Sequence, residues 1–229
     1  MGKESALEAL FGENVDPRET RAAVDECLRE FELGEGLKES TLRLVFDQWP
    51  GNTDESEVLA KVTLLNVFYS TRLNDYASPK SDRIDIEGMA RAIAGIDGFD
   101  ELLHSDDEDE RMRLVELIRH GGTAGEDGRR YDDAYSFATK YCSWHCPDKY
   151  PIADSYSRGM VYRIACLMRG ATRTPNGLRQ EDLLDYKTFC DRHSEAREYI
   201  CQRAGAEYTP KEIDEFFWVF GKSHGLGIS

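Results

Sequence analysis

The chain has 229 residues, a formal net charge of −15 at pH 7 and six cysteines at irregular spacings. Its length suffices for a substantial core, and the cysteine pattern favours reduced thiols over a disulfide framework. The sequence contains no apolar run approaching the roughly 20 residues of a membrane helix and begins without a secretory signal pattern, which together predict a cytoplasmic protein with no membrane partner.

Helix signals recur along the chain, whereas strand signals are rare. Asp16, Asp54 and Thr209 each begin an Ncap-x-x-Glu sequence, the pattern of a capping box, and each precedes apolar residues at helical spacing. The sequence therefore predicts an all-α fold, a compact multi-helix domain over residues 1–229. The predicted helices are 17–32, 40–48, 55–76, 84–95, 107–120, 133–145, 154–170, 180–204 and 210–221.

The helix predicted at 55–76 is the most apolar one. Its apolar residues cover more than one face, which predicts a position in the centre of the domain, with the polar end 69–74 at the surface. Two segments resemble linkers. The acidic run 106–110 is typical of a helix start, and the glycine-rich run 121–128 predicts a break between helices.

Asp154 is the leading candidate for a functional side chain. Pro151 fixes its own φ near −65° and favours an extended Tyr150, so Asp154 is expected at the start of the next helix. A carboxylate at that position can cap the helix by accepting hydrogen bonds from amides two or three residues on. It can also act chemically at the lip of a cleft, and the sequence leaves both roles open.

Aromatic and basic residues surround Asp154 in the sequence. The aromatic ones are Tyr135, Tyr141, Trp144, Tyr150 and Tyr156. Most aromatic residues at such spacing belong to a core, but they also suit a pocket that stacks an extruded base. Lys140 and Arg158 could then hold the flanking phosphates, although the net charge argues against indiscriminate nucleic-acid binding.

Cysteine and histidine residues offer a weaker alternative. Cys142, His145 and Cys146 form a Cys-x-x-His-Cys sequence, and Cys190 with His193 could complete four metal ligands. Neither pair has the cysteine spacing of common zinc ribbons, and neighbouring side chains on a helix diverge, which disfavours a Cys–His nucleophile. The sequence also lacks phosphate-loop, dinucleotide-binding and serine-hydrolase motifs. We therefore predict no metal and no cofactor.

Three sequence features together resemble a known family. They are the helix Leu-Leu-Asn-Val-Phe-Tyr-Ser-Thr-Arg-Leu-Asn at 64–74, a glycine-containing turn followed by Ser136-Phe-Ala, and Pro-Ile-Ala-Asp154. Over residues 55–170 this pattern is similar to the helix-hairpin-helix DNA glycosylases, the superfamily of endonuclease III and the 8-oxoguanine DNA glycosylases. The resemblance implies a glycosylase-like all-α fold and makes Asp154 the catalytic acid.

The resemblance also implies roles at the end of the 55–76 helix. Tyr69-Ser70-Thr71-Arg72 matches the family's DNA-facing helix end, with Arg72 filling the gap left by the flipped base. The family's hairpin signature Leu-Pro-Gly-Val-Gly is absent, and its nucleophilic lysine has no counterpart because that position falls near Tyr135. The implied activity is therefore monofunctional, without lyase chemistry.

We predict a DNA-binding N-glycosylase that acts on duplex DNA with a modified or damaged base. Asp154 is the predicted catalytic residue, and Arg72, Lys140 and Arg158 are expected to share its surface. The predicted DNA-binding residues are Ser70, Thr71, Arg72, Lys140 and Arg158, and the predicted base pocket is Tyr69, Trp144, His145 and Tyr150. The alternatives are a non-catalytic helical interaction protein, phage-related or regulatory, with an acidic partner-binding surface, and a metal-dependent enzyme using the Cys-x-x-His-Cys sequence.

Overall fold

The computed structural model describes residues 3–12, 14–71, 73, 85–121, 134–168 and 178–228. Over these residues the protein is all-α and contains no β-strand, which confirms the predicted fold class. The described helices are α1 (Lys3–Phe11), α2 (Pro17–Gln48), α3 (Glu55–Tyr69), α4 (Ile86–Ala94), α5 (Phe99–His104), α6 (Glu108–Arg119), α7 (Tyr135–His145), α8 (Ser155–Leu167), α9 (Tyr186–Ala204) and α10 (Pro210–Ser223), with a 3-10 helix at Gln180–Leu184.

Helix α2 differs from the prediction because it is continuous over 32 residues. The sequence predicted two helices, 17–32 and 40–48, separated by the segment that holds Gly34 and Gly36. Each glycine in a helix interior costs about 0.5–1 kcal/mol relative to alanine. Burial of apolar side chains on both sides of this segment, including Phe31 and Leu42, outweighs that cost.

Helices α1 and α5 were not predicted. Helix α5 follows Gly98, which has a positive φ of 69° and supplies no side-chain hydrogen bond as a cap, so the usual polar start signal is missing. Other starts are capped as predicted: Asp54 accepts hydrogen bonds from the amides of Ser56 and Glu57. Thr209 and Glu212 form the predicted reciprocal capping box of α10.

The chain divides into two compact units, Leu37–Tyr150 (the middle unit) and Met1–Gly36 with Pro151–Ser229 (the terminal unit). In the middle unit, α3 packs against α4 and α7, while α6 packs against α5 and α7. Val58, Val62 and Leu65 of α3 are fully buried, in agreement with its predicted central position. Val67 on the opposite side of α3 is 63% exposed, so only part of the helix surface faces the core.

In the terminal unit, α8 packs against α1, α9 and α10. The core includes Phe11, Phe189, Phe216 and Phe217, and the rings of Phe11 and Phe216 meet edge to face with centroids 6.1 Å apart. Helices α1, α9 and α10 thus surround α8, and Asp154 lies at its start.

Candidate functional site

Asp154 is the N-cap of α8 and is 9% exposed. Its Oδ1 accepts hydrogen bonds from the amides of Tyr156 at 2.9 Å and Ser157 at 3.0 Å. The structure therefore confirms the capping role that the sequence left open.

The segment 151–154, which leads to α8, is buried at every residue. Side chains from later helices hold its backbone at two consecutive residues. Tyr186 of α9 donates its hydroxyl to the carbonyl oxygen of Pro151 at 2.9 Å, and Asp214 of α10 accepts the amide of Ile152 through Oδ2 at 2.9 Å. The position of Asp154 is thus set by side-chain anchors as well as by the start of its helix.

Asp214 has a second buried partner. Its Oδ1 lies 3.0 Å from Nε2 of His193, and both side chains are only 3% exposed. A buried carboxylate is costly unless hydrogen-bond donors surround it. His193 and the Ile152 amide supply donors to both oxygens, so this pair ties α9 and α10 to the backbone before Asp154.

The C-terminal residues cover the first turns of α8. The Ile228 amide donates to the carbonyl of Ser155 at 3.0 Å, and Arg163 donates to the carbonyl of Leu226 at 2.7 Å. Arg158, predicted to bind DNA, is half-buried in this part of α8. Arg158 and Asp154 thus lie at one helix start, while the surface predicted to unite Asp154 with Arg72, Lys140 and Arg158 stays a prediction.

Three of the four residues predicted for the base pocket belong to one aromatic cluster in the middle unit. The cluster centres on Phe46, whose ring centroid lies 5.7 Å from Trp144 and 4.7 Å from His145. Tyr69 joins it with its ring 6.5 Å from Trp144. The sequence analysis missed Phe46. Its spacing of four residues from Leu42 is typical of one buried helix face and could have identified it.

Tyr150 contacts α5 through its hydroxyl group. It is fully buried, and its hydroxyl donates to the carbonyl of Leu103 at 3.0 Å. The structure explains Tyr150 as a core residue that links the end of α7 to α5, and its assignment to a base pocket stays a prediction.

His145 is held in its neutral form. Burial, followed by the positive charge of Lys61, lowers its pKa to about 3. Its Nε2 is inaccessible to solvent and has no hydrogen-bond partner among the described residues. At neutral pH His145 therefore contributes an uncharged ring to the cluster, without the charge needed to hold a phosphate.

Lys140, predicted to contact DNA, is 5% exposed. Its Nζ donates to Ser136 Oγ at 3.0 Å and lies 5.5 Å from the ring centroid of Tyr69. Arg43, which the sequence analysis did not single out, places a solvent-exposed positive charge beside the same aromatic cluster, whereas the charge of Lys140 is buried. Its guanidinium lies 5.7 Å from the Trp144 ring centroid, and its residue is exposed.

Ser70 and Thr71 lie at the C-terminal end of α3. Ser70 is exposed and has a left-handed conformation with φ 48°. Thr71 donates to the side-chain oxygen of Asn66 at 2.9 Å, and the same oxygen accepts the amide of Leu73 at 3.1 Å. Asn66 therefore fixes this turn, while the predicted Arg72 lies outside the described residues.

The cysteine and histidine residues of α7 do not form a metal-binding group. Among the described residues, no three or more His, Cys, Asp or Glu side chains are placed to hold a metal ion. Burial raises the pKa of the Cys142 and Cys146 thiols, which disfavours the thiolate that metal binding needs. The absence of a cofactor or metal stays a prediction.

The described fold and site define an all-α protein whose terminal unit presents a buried, anchored aspartate at a helix start. The HI_0787_N family model, described as an N-terminal domain, matches residues 23–149. This match spans more than half of the chain, and the chain belongs to that family. The matched range includes nearly all of the middle unit and ends before Asp154.

A similar protein is an uncharacterized protein of Haemophilus influenzae, which is 30% identical over 166 residues. The alignment covers 72% of this chain and 66% of the relative, so the chain spans slightly less than two thirds of the length of that relative. No solved structure matches the chain significantly. Among the helices of the described residues, none combines the length and apolar character needed to cross a bilayer.

Proposed function

We propose that this protein is a monofunctional DNA N-glycosylase of the helix-hairpin-helix type, with Asp154 as its catalytic residue. The observation that supports the proposal is the anchored segment 151–154. Side chains of Tyr186 and Asp214 hold its backbone, and the segment delivers a carboxylate to the start of α8. An N-cap needs only a local turn to accept its hydrogen bonds. The additional hydrogen bonds to residues 151 and 152 therefore favour a role for Asp154 that depends on its exact position.

The proposed reaction breaks the bond between the sugar C1′ and the nitrogen of a flipped base. The base leaves with the bonding electron pair, and oxocarbenium character develops at the sugar. Asp154 stabilises that positive charge or orients the attacking water. The water oxygen bonds to C1′, and the proton that it loses passes through solvent to the nitrogen of the departed base. A carboxylate held in place before the reaction needs no reorganisation when the charge appears.

Residues of the middle unit supply the proposed DNA contacts. Ser70 and Thr71 lie at the end of α3, where the hydroxyl of exposed Ser70 is available to a phosphate. Arg43 over Trp144 combines a cation with an aromatic face, a pair suited to backbone binding and base stacking. The proposed ligand is duplex DNA that contains a modified or damaged base.

A base-release assay with the full chain tests the proposal. Duplexes that each contain one modified base, among them 8-oxoguanine, uracil, hypoxanthine and 3-methyladenine, are incubated with the protein and then heated in alkali. Alkali cleaves the strand only where an abasic site has formed. A monofunctional glycosylase yields cleavage after alkali and none before it, because it lacks a lysine nucleophile.

Two aspartate variants identify the source of any activity. Asp154→Asn keeps a capping side chain but loses the negative charge, so we expect base release to fall at least about 100-fold while duplex binding is retained. Asp185→Asn is the matched control, since Asp185 caps α9 of the same unit through the Thr188 amide at 2.8 Å. Equal base release by the parent protein and Asp154→Asn would show that Asp154 is only a cap.

One observation favours the alternative of an acidic interaction protein. The start of α6 carries Asp107, Glu108, Asp109 and Glu110, which are mostly exposed. Such a surface attracts a basic protein partner and repels DNA phosphates. If no duplex in the panel loses a base and binding to an abasic-site analogue is absent at low salt, this alternative becomes the better account.

A further inference from the structure

We propose that His193 is a positioning residue that holds the Asp154 segment through Asp214. The proposal rests on the proposed function for its catalytic meaning, but its geometry is independent of that function. His193 lies on α9, Asp214 on α10, and the backbone they hold belongs to the residue two places before Asp154.

The two oxygen atoms of the Asp214 carboxylate have different partners. Oδ2 accepts the Ile152 amide at 2.9 Å, while Oδ1 lies 3.0 Å from Nε2 of His193. With a proton on Nε2, His193 donates to Oδ1 and fixes the rotation of the carboxylate. That rotation aims Oδ2 at the Ile152 amide, so the histidine acts on the segment without touching it.

The His193–Asp214 pair lies in a buried, apolar environment. His193 and Asp214 are each 3% exposed, and the rings of Phe189 and Phe217 lie 5.7 Å and 5.5 Å from the imidazole. Water does not compete with the hydrogen bonds in such an apolar site, so each bond is directional and each lost donor is costly. A buried ionisable pair contributes less to stability than apolar packing would. This favours a role for the pair in positioning the segment 151–154.

Helix α9 also holds this segment through a second side chain. Tyr186 lies at the start of α9 and donates to the Pro151 carbonyl at 2.9 Å. Helix α9 therefore holds two consecutive residues. Tyr186 binds the carbonyl of residue 151 directly, and His193 orients Asp214, which binds the amide of residue 152. Movement of about 1 Å in a reacting group lowers rates by about 100-fold, so this control is large enough to affect catalysis.

The test compares three full-length variants. His193→Leu removes the donor and keeps an apolar side chain, and His193→Gln replaces the imidazole with an amide that can donate to Asp214. Tyr208→Phe is the matched control, because it removes another hydrogen bond of the terminal unit, from the buried Tyr208 to Asp25 at 3.0 Å. It leaves the anchored segment untouched.

Amide hydrogen exchange gives a readout that does not depend on catalysis. In His193→Leu we expect at least about 10-fold faster exchange for the peptide that contains Ile152, with recovery in His193→Gln and no change there in Tyr208→Phe. Parental exchange at Ile152 in His193→Leu would overturn the proposal, as would equal acceleration in all three variants.

Base release gives the catalytic readout. We expect His193→Leu to lower the single-turnover rate about 10- to 100-fold with unchanged duplex affinity, and His193→Gln to recover most of it. If the parent protein releases base and His193→Leu does so at the same rate, the positioning proposal fails. If the parent releases no base, the proposed function fails instead, and hydrogen exchange still decides the structural role of His193.

Discussion

Gly159 lies directly against the backbone of Leu226, so that a Cβ atom at Gly159 would be 2.0 Å from the Leu226 carbonyl oxygen. The same oxygen accepts a hydrogen bond from Arg163 at 2.7 Å. Glycine in a helix interior is normally unfavourable, and this contact explains why α8 contains one. The close approach seats residues 226–228 on the helix that Asp154 caps.

Gly159→Ala is expected to destabilise the protein by about 1–3 kcal/mol, because backbone atoms have to move to admit the methyl group. Gly34→Ala is the matched control. Gly34 is exposed within α2, and a Cβ there would meet nothing within 4 Å, so the same substitution should stabilise by about 0.5–1 kcal/mol. Urea unfolding of both variants measures the difference, and changes of the same sign would contradict the contact.

Lys61 predicts a pH dependence in the middle unit. It is fully buried, and its Nζ donates to the Gly51 carbonyl at 2.7 Å and to Asn52 Oδ1 at 2.8 Å. Burial lowers the pKa of Lys61 from 10.5 to about 8. Between these values the unfolded chain keeps the proton that the folded chain has released. The contribution of Lys61 to the free energy of unfolding therefore rises with pH in this window, by up to about 1.4 kcal/mol per pH unit.

The measurement is the difference in free energy of unfolding between the parent protein and Lys61→Met at pH 7, 8, 9 and 10. Using a difference removes the effect of other groups, such as Tyr141, whose pKa is raised by burial. We expect a constant difference below pH 8 and a growing advantage for the parent above it. Parallel curves for the two proteins across the whole range would show that Lys61 stays protonated in the folded state.

Local signals in the sequence were enough to predict most helix starts. Asp54 and Thr209 cap α3 and α10 as expected, because a cap depends on residues two or three positions away. The break predicted within α2 was wrong, since burial on both sides of Gly34 and Gly36 overrides local propensity. Asp154 at a helix start also followed from the sequence, because Pro151 and the apolar spacing that follows are local.

The anchors around Asp154 could not be predicted, because they join distant parts of the chain. Ile152 and Asp214 are 62 residues apart, and their hydrogen bond depends on how α10 packs against α8. Similarly, the bond from Tyr141 to Asn52 joins residues 89 apart and buries a polar network that no short motif marks. Tyr69, Trp144 and His145, which the sequence analysis assigned to a base pocket, lie in one aromatic cluster, but Phe46 at its centre comes from α2. Their role as a base pocket stays a prediction.

Asp154→Ala should destabilise the protein by about 1 kcal/mol through loss of the cap, whereas Asp154→Asn should remain within about 0.5 kcal/mol of the parent. Asp54→Ala is the matched control, because Asp54 makes the same pair of cap bonds, to the Ser56 amide at 2.8 Å and the Glu57 amide at 3.1 Å. Thermal and urea unfolding provide the comparison. An Asn variant as unstable as the Ala variant would mean that the carboxylate charge itself supports the fold.

Substitutions at Ser70 distinguish the effect of backbone strain at the end of α3 from the effect of the hydroxyl on DNA binding. The φ of 48° at Ser70 is a left-handed conformation that costs a non-glycine residue about 1–2 kcal/mol. Ser70→Gly should therefore stabilise the protein by about 0.5–1 kcal/mol after the greater flexibility of unfolded glycine is included, and Ser70→Val should destabilise it.

Ser70→Ala keeps the strain and removes only the hydroxyl. If that hydroxyl contacts a phosphate, both Ser70→Gly and Ser70→Ala should bind duplex DNA about 2- to 10-fold more weakly in fluorescence anisotropy titrations, despite their different stabilities. Parental affinity in both variants would remove Ser70 from the proposed DNA surface.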